Sequence, residues 1–264
     1  MNLPDDAIMR AKESADPADA QASLREIDAK LTLLSDPVER AGLLLNKAVF
    51  LGTLGQYVDA QAQLELARCE AQGDEGVQLS FEYIYGALCH QQQQYQEAYD
   101  RMTAALRTYS SRLAENEQRF IYREIQQYRA FELVELFRFA DAVPVLQEVL
   151  TFEMKPDDRS VAVAGLGICY SKLGRYENAI ESLLQALEMG LTPDWAGQAH
   201  CQLGIAYFHL GRLQDAKKEF QICEERATTY AIPARTLYGW LCRVCKGLGQ
   251  IAESKRYWDL ARPC

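Results

Sequence analysis

Small and apolar residues recur along this 264-residue chain at helical spacing, and they do so in blocks that repeat. The clearest block, Ala164–Leu187, reads AGLGICYSKLGRYENAIESLLQAL; its features return in Cys201–Cys223 and Gly239–Ala261. Fainter copies stand at Leu45–Ala67, Tyr83–Ala105 and Gln127–Val149, so that six copies follow one another 37 to 44 residues apart. Laid over one another they form columns. One holds Ala48, Gly86, Ala130, Gly167, Gly204 and Cys242; another holds Ala60, Ala98, Ala142, Ala179, Ala216 and Ser254. All are small, as two closely crossing helices require at their contact, where side-chain size sets the interaxial distance. Ala67, Ala105, Val149, Ala186, Cys223 and Ala261 lie seven residues further on, the same face two turns later.

Large residues fill the complementary columns. These are Leu64, Met102, Leu146, Leu183, Phe220 and Trp258 in one, and Tyr57, Tyr95, Phe139, Tyr176, Leu213 and Ile251 in the other. Gly55, Gly174, Gly211 and Gly249 separate the two halves of four copies, where a left-handed residue ends a helix at little steric cost. Gln93 and Phe137 stand there in the second and third copies, which predicts somewhat different turns. Pro37, Pro156 and Pro193 fall where proline suits an opening helical turn, so each first helix starts early. The 44-residue step places extra helix length near 109–119, with a link around 115–117. Before the copies, Asp19–Leu34 is amphipathic, with Leu24, Ile27, Leu31 and Leu34 on one side, and Asp36-Pro37-Val38-Glu39 is a start signal for the next helix. The organisation expected is a flexible N-terminus (1–17), an N-terminal capping helix (18–36) and six helical hairpins in one continuous solenoid (37–264), about thirteen helices in all and no strand.

These columns resemble the tetratricopeptide repeat, from Pro37 to Ala261, although the family's unit is 34 residues and most spacings here are 37 or 38. The resemblance implies an all-α fold, a right-handed α-solenoid of antiparallel hairpins forming a superhelix. It also implies that the first helices line a concave groove in which partners lie as extended segments or helices. Carried over position by position, the groove consists of Tyr83 and His90 from the second copy, and Gln127, Tyr128 and Phe131 from the third. Ile168 and Lys172 follow from the fourth, Gln202, Phe208 and His209 from the fifth, and Trp240, Arg243 and Lys246 from the sixth. Leu45 and Val49 occupy positions where one family variant grips a C-terminal carboxylate with Lys and Asn, so that clamp is absent.

Composition narrows the picture. The formal charge of −9 disfavours a nucleic-acid surface, which needs clustered Lys and Arg. The charge is uneven: residues 1–36 carry eight acids against four bases, and residues 235–264 carry six bases against two acids. No twenty-residue apolar run and no basic–apolar leader is visible, so neither a membrane span nor a signal peptide is expected. The eight cysteines stand mostly in helix columns shared with Ala, Leu or Tyr, which reads as core packing in a reducing cytoplasm. Cys242 and Cys245 form a lone CxxC inside a helix and read the same way, as does the Gly165-Leu166-Gly167 fragment. His90, His200 and His209 have no recurrent metal-ligand spacing, and no metal or cofactor is expected. The function expected is a non-enzymatic adaptor for a peptide segment or partner helix. Two alternatives are a scaffold that dimerises through its terminal repeats, with Tyr257 and Leu260 covered by a second copy, and a stand-alone receptor for a short signalling peptide.

Overall fold

The computed structural model describes residues 17–108, 119–226 and 233–262. Among the described residues there are thirteen α-helices and no strand: α1 Pro17–Leu31, α2 Pro37–Thr53, α3 Tyr57–Glu70, α4 Glu75–Gln91, α5 Tyr95–Thr108, α6 Arg119–Glu135, α7 Phe139–Val149, α8 Pro156–Lys172, α9 Tyr176–Met189, α10 Pro193–His209, α11 Leu213–Glu225, α12 Ala234–Gly247 and α13 Ile251–Ala261. The link expected around 115–117, and the N-terminus up to residue 16, lie outside the described residues. The chain falls into two compact units that divide after Glu132.

Local chemistry sets the helix starts. Pro37, Pro156 and Pro193 each occupy the first turn of α2, α8 and α10, where the missing N–H has no helical partner to lose. The Asp36 carboxylate accepts from the Glu39 N–H at 2.9 Å, and Asp74 accepts from the Val77 N–H at 2.9 Å, each satisfying an orphan donor. The early start lengthens the first helices: α2, α4, α8 and α10 run 17 residues, whereas α3, α5 and α9 run 14.

Within a hairpin the small column of the first helix receives the large column of the second. A Cβ added at Gly86 would lie 2.7 Å from Met102, one at Gly167 2.7 Å from Leu183, and one at Gly204 2.7 Å from Phe220. Leu64, Met102, Leu183 and Phe220 are accordingly fully buried. Each such side chain contributes roughly 1.5–3 kcal/mol of burial. In the first unit α1 packs on α2 through Ala20 and Ile27 against Leu43 and Phe50, with Leu24, Leu31 and Leu34 at the edge, as its amphipathic pattern predicts.

The turns depart from expectation. Gly55, Gly174, Gly211 and Gly249 adopt φ of 73–75°, and Gln93 and Phe137 adopt the same left-handed conformation at 60° and 59°. All six turns also close with the same bond, from the N–H after the left-handed residue to a carbonyl five residues back: Gln56 to Leu51, Gln94 to Cys89, Arg138 to Leu133, Arg175 to Tyr170, Arg212 to Tyr207 and Gln250 to Cys245. The turn geometry is therefore common to all copies. Tertiary packing holds two of them there against the preference of the residue itself.

Candidate functional site

In the first unit the expected groove positions converge on a polar core. The Tyr83 hydroxyl donates to Glu124 Oε2 at 3.2 Å, and Arg123 Nη2 donates to Glu124 Oε1 at 2.8 Å. His90 Nδ1 lies 2.7 Å from Glu132 Oε1. The Tyr128 ring stands edge-on to both Tyr83 and His90, at 5.8 and 5.6 Å, and Tyr95 stands edge-on to His90 at 5.7 Å. Burial, followed by the neighbouring Tyr128 and Glu124, pushes the Tyr83 phenol well above its ordinary range, so it serves as a neutral donor. Tyr83 and Gln127 are buried, whereas His90, Tyr128 and Phe131 are half-buried. Of these five, only His90, Tyr128 and Phe131 keep appreciable solvent-accessible surface.

Glu132 is a feature the sequence reading missed, although a signal was present. Its column otherwise holds Phe50, Leu88, Cys169, Ala206 and Val244, all buried, and Glu132 is itself fully buried. An acid in an otherwise apolar column has to find partners inside the protein, and His90 is one of them.

In the second unit the expected residues form a ladder of rings on the first helices. Phe208 and Trp240 meet at 5.5 Å, His209 and Trp240 at 6.2 Å, and Phe208 and His209 at 5.6 Å. Tyr176 extends the array, stacking on His209 at 4.7 Å with rings 2° from parallel. Sequence placed Tyr176 in a packing column, which hid its part in this face. Phe208 and Trp240 are half-buried and His209 is exposed. Trp240 has two roles: one face lies parallel to the buried Phe220 at 6.0 Å, while the Arg243 guanidinium sits 4.8 Å from the ring centroid. Lys172, Arg243 and Lys246 are exposed on the first helices of this unit, and Gln202 accepts a bond from the Ser171 hydroxyl at 2.9 Å, which ties α10 to α8. Ile168 is buried.

Burial raises the thiols of Cys89, Cys201 and Cys245 to about 11 and those of Cys169 and Cys223 to about 12, well above a reactive range. Cys245 Sγ lies 3.5 Å from Glu253 and Cys242 Sγ lies 3.4 Å from the Ser254 hydroxyl. His200 pairs with Glu219 at 2.7 Å. Among the described residues no group of three or more His, Cys, Asp or Glu side chains is placed to hold a metal ion. Tyr257, expected at a self-association surface, is buried with its hydroxyl donating to Glu224 at 2.9 Å, while Leu260 is exposed. No described helix is long and apolar enough to cross a membrane.

Comparison with known proteins agrees with this geometry. Residues 158–229 match the sequence model of the tetratricopeptide repeat. No curated protein matches the chain in sequence. Among solved structures, BtubC from P. vanneervenii is similar, with a TM-score of 0.61 and 17% identity over 82% of this chain and 92% of that one. YrrB, described as a repeat protein of this family with an unusual peptide-binding site, has a TM-score of 0.52 and 16% identity over 82% and 91%. NprR, solved in complex with its cognate peptide NprX, has a TM-score of 0.64 and 14% identity over 97% and 77%. At such identities these likenesses show the fold. Repeating columns, interlocked hairpins and the shared fold give this chain the helical-hairpin architecture of tetratricopeptide-repeat proteins, and residues 158–229 carry that repeat's sequence signature.

Proposed function

We propose that the chain is a non-enzymatic interaction module that receives a peptide segment or partner helix against the first helices of its hairpins. The observation that carries this reading is the ring ladder of Tyr176, His209, Phe208 and Trp240, with Arg243 against Trp240 and Lys172 and Lys246 exposed on the first helices of the same unit. Rings that stay partly open to solvent supply apolar contact area at low entropic cost, and the flanking cations give register. The peptide-binding descriptions of YrrB and NprR support a ligand of this class. A net charge of −9 favours a protein partner over nucleic acid.

Peptide-library selection on the purified chain tests the reading. Peptides selected on wild type should bind about tenfold more weakly to a Lys172→Ala/His209→Ala/Lys246→Ala variant, since a few contacts near 1 kcal/mol or less each suffice for that change. These three side chains are suitable targets because they are exposed, half-buried Trp240 being tied to the core through Phe220. Selected peptides that bind wild type and variant equally would remove this face from the proposal.

A further inference from the structure

The sixth hairpin carries a pocket that none of the groove reasoning requires. It encloses about 370 Å³ between α12 and α13, with Arg235, Arg243, Arg262, Trp258 and Gly239 on its walls. That volume is within the range of small-ligand clefts, about 300–1,000 Å³. Among the described residues its lining contains three arginines and no carboxylate.

The repeat itself shows how unusual this is. Trp258 occupies the column of Leu64, Met102, Leu146, Leu183 and Phe220, every one of them fully buried, yet Trp258 is 53% exposed. Arg235 occupies the column of Ala41, Leu79, Arg123, Ser160 and Gly197, all buried, yet it is exposed. Gly239 lies one turn before Cys242, the sixth copy's counterpart of Gly86, Gly167 and Gly204, and its surroundings differ from theirs. Those glycines each accommodate a large side chain of the second helix, whereas a Cβ at Gly239 would meet nothing within 4 Å. A glycine inside a helix costs about 1 kcal/mol relative to alanine, and here no protein atom uses the space it leaves. Among the described residues Arg235, Arg243 and Arg262 also make no ion pair, whereas Arg40, Arg101, Arg123, Arg138, Arg212 and Arg256 all face carboxylates. The Arg262 guanidinium lies 5.3 Å from the Trp258 ring centroid, which holds a cation at the edge of an open aromatic face.

We infer that this pocket binds an acidic peptide segment, with its carboxylates on the arginines and an apolar side chain on Trp258 over Gly239. Guanidinium groups match carboxylates in a two-point fork and stack on aromatic rings, so the pocket offers both kinds of contact at once. A short acidic peptide also suits the charge balance. Three unpaired cations attract it locally, whereas a long polyanion would meet the repulsion of a chain at −9. The site is separate from the ring ladder, with Arg243 alone shared between them.

Fluorescence anisotropy on the full chain tests the inference, using a fluorescein-labelled octapeptide with four Glu around a central Phe and an isostere with Gln in place of Glu. The acidic peptide should bind at least tenfold tighter than the Gln peptide, and more weakly as salt is raised. Arg235→Gln and Arg262→Gln should each weaken it about fivefold, the equivalent of roughly 1 kcal/mol for an exposed charge pair. Gly239→Leu should block it while the far-ultraviolet dichroism stays unchanged, because the added side chain enters open space and leucine favours helix. The Lys172→Ala/His209→Ala/Lys246→Ala variant should bind the acidic peptide as wild type does, which separates failure of this pocket from failure of the ring ladder. Equal binding of the Glu and Gln peptides, or no effect of Gly239→Leu, would overturn the inference. So would a single-stranded oligonucleotide displacing the acidic peptide at lower concentration than unlabelled peptide does, or light scattering showing a dimer that Trp258→Ala dissociates.

Discussion

Replacing Phe137 or Gln93 with glycine should stabilise the protein, and the size of the effect follows from the backbone. Both residues hold φ near +60°, the conformation their four counterparts reach as glycines. For an L-residue with a Cβ this region costs roughly 1–2 kcal/mol. Glycine returns part of that gain because its unfolded chain is freer, by roughly 0.5–1 kcal/mol. Side-chain losses are small. Phe137 is 80% exposed, with its ring edge-on to Phe139 at 6.0 Å, and Gln93 is exposed. The net expectation is about 0.5–1 kcal/mol per site, or roughly 2–3 °C in Tm for a chain of this size. Urea unfolding followed by far-ultraviolet dichroism reads this as a higher midpoint at unchanged slope. Gly174→Ala is the reciprocal control: its Cβ would approach only the Tyr176 hydroxyl, at 4.0 Å, so any loss of stability comes from φ alone. Stabilities that fall in both glycine variants, together with a neutral Gly174→Ala, would refute the argument that the left-handed turn is common and strained in two copies.

Other outcomes follow from packing and burial. Gly204→Ala places a Cβ within 3 Å of three Phe220 ring atoms and should destabilise by about 1–3 kcal/mol, seen as a lower thermal midpoint. A thiol reagent at pH 7.5, applied to a Cys264→Ala background, should modify exposed Cys69 first. Cys89, Cys169, Cys223 and Cys245 should react only in denaturant, because burial raises their thiols to about 11 or 12 and keeps them protonated; mass spectrometry of the digested protein checks this. Tyr257→Phe removes the 2.9 Å bond to Glu224 and should cost about 1 kcal/mol in urea unfolding, marking Tyr257 as a core residue rather than an interface one.

The hairpin architecture was legible because packing repeats. A small residue at Gly86, Gly167 and Gly204 and a large one at Met102, Leu183 and Phe220 carry the same information several times over, and the structure interlocks them pair by pair. Singular features were less legible. The buried Glu132 appears once, and its partner His90 belongs to another copy, 42 residues away, so no column could reveal the pair. Tyr176 was visible as a member of a packing column, yet its stacking on His209 depends on how one hairpin sits on the next. Gln93 and Phe137 misled in the opposite direction, because residue preference suggested a different turn and the surrounding helices imposed the common one.

This contrast also gives a rule for finding sites in a repeat fold. Where every copy obeys the packing rule, a small residue is explained by the large one it accommodates. Where a small residue inside a helix has nothing filling the space it leaves, the packing explanation is spent. Gly239, one turn before the small-column residue Cys242, is in that position, and beside it stand Arg235, exposed where its column is buried, and the half-exposed Trp258. A pocket with cations on several walls and no acid among its lining therefore points to a ligand that supplies the missing negative charge.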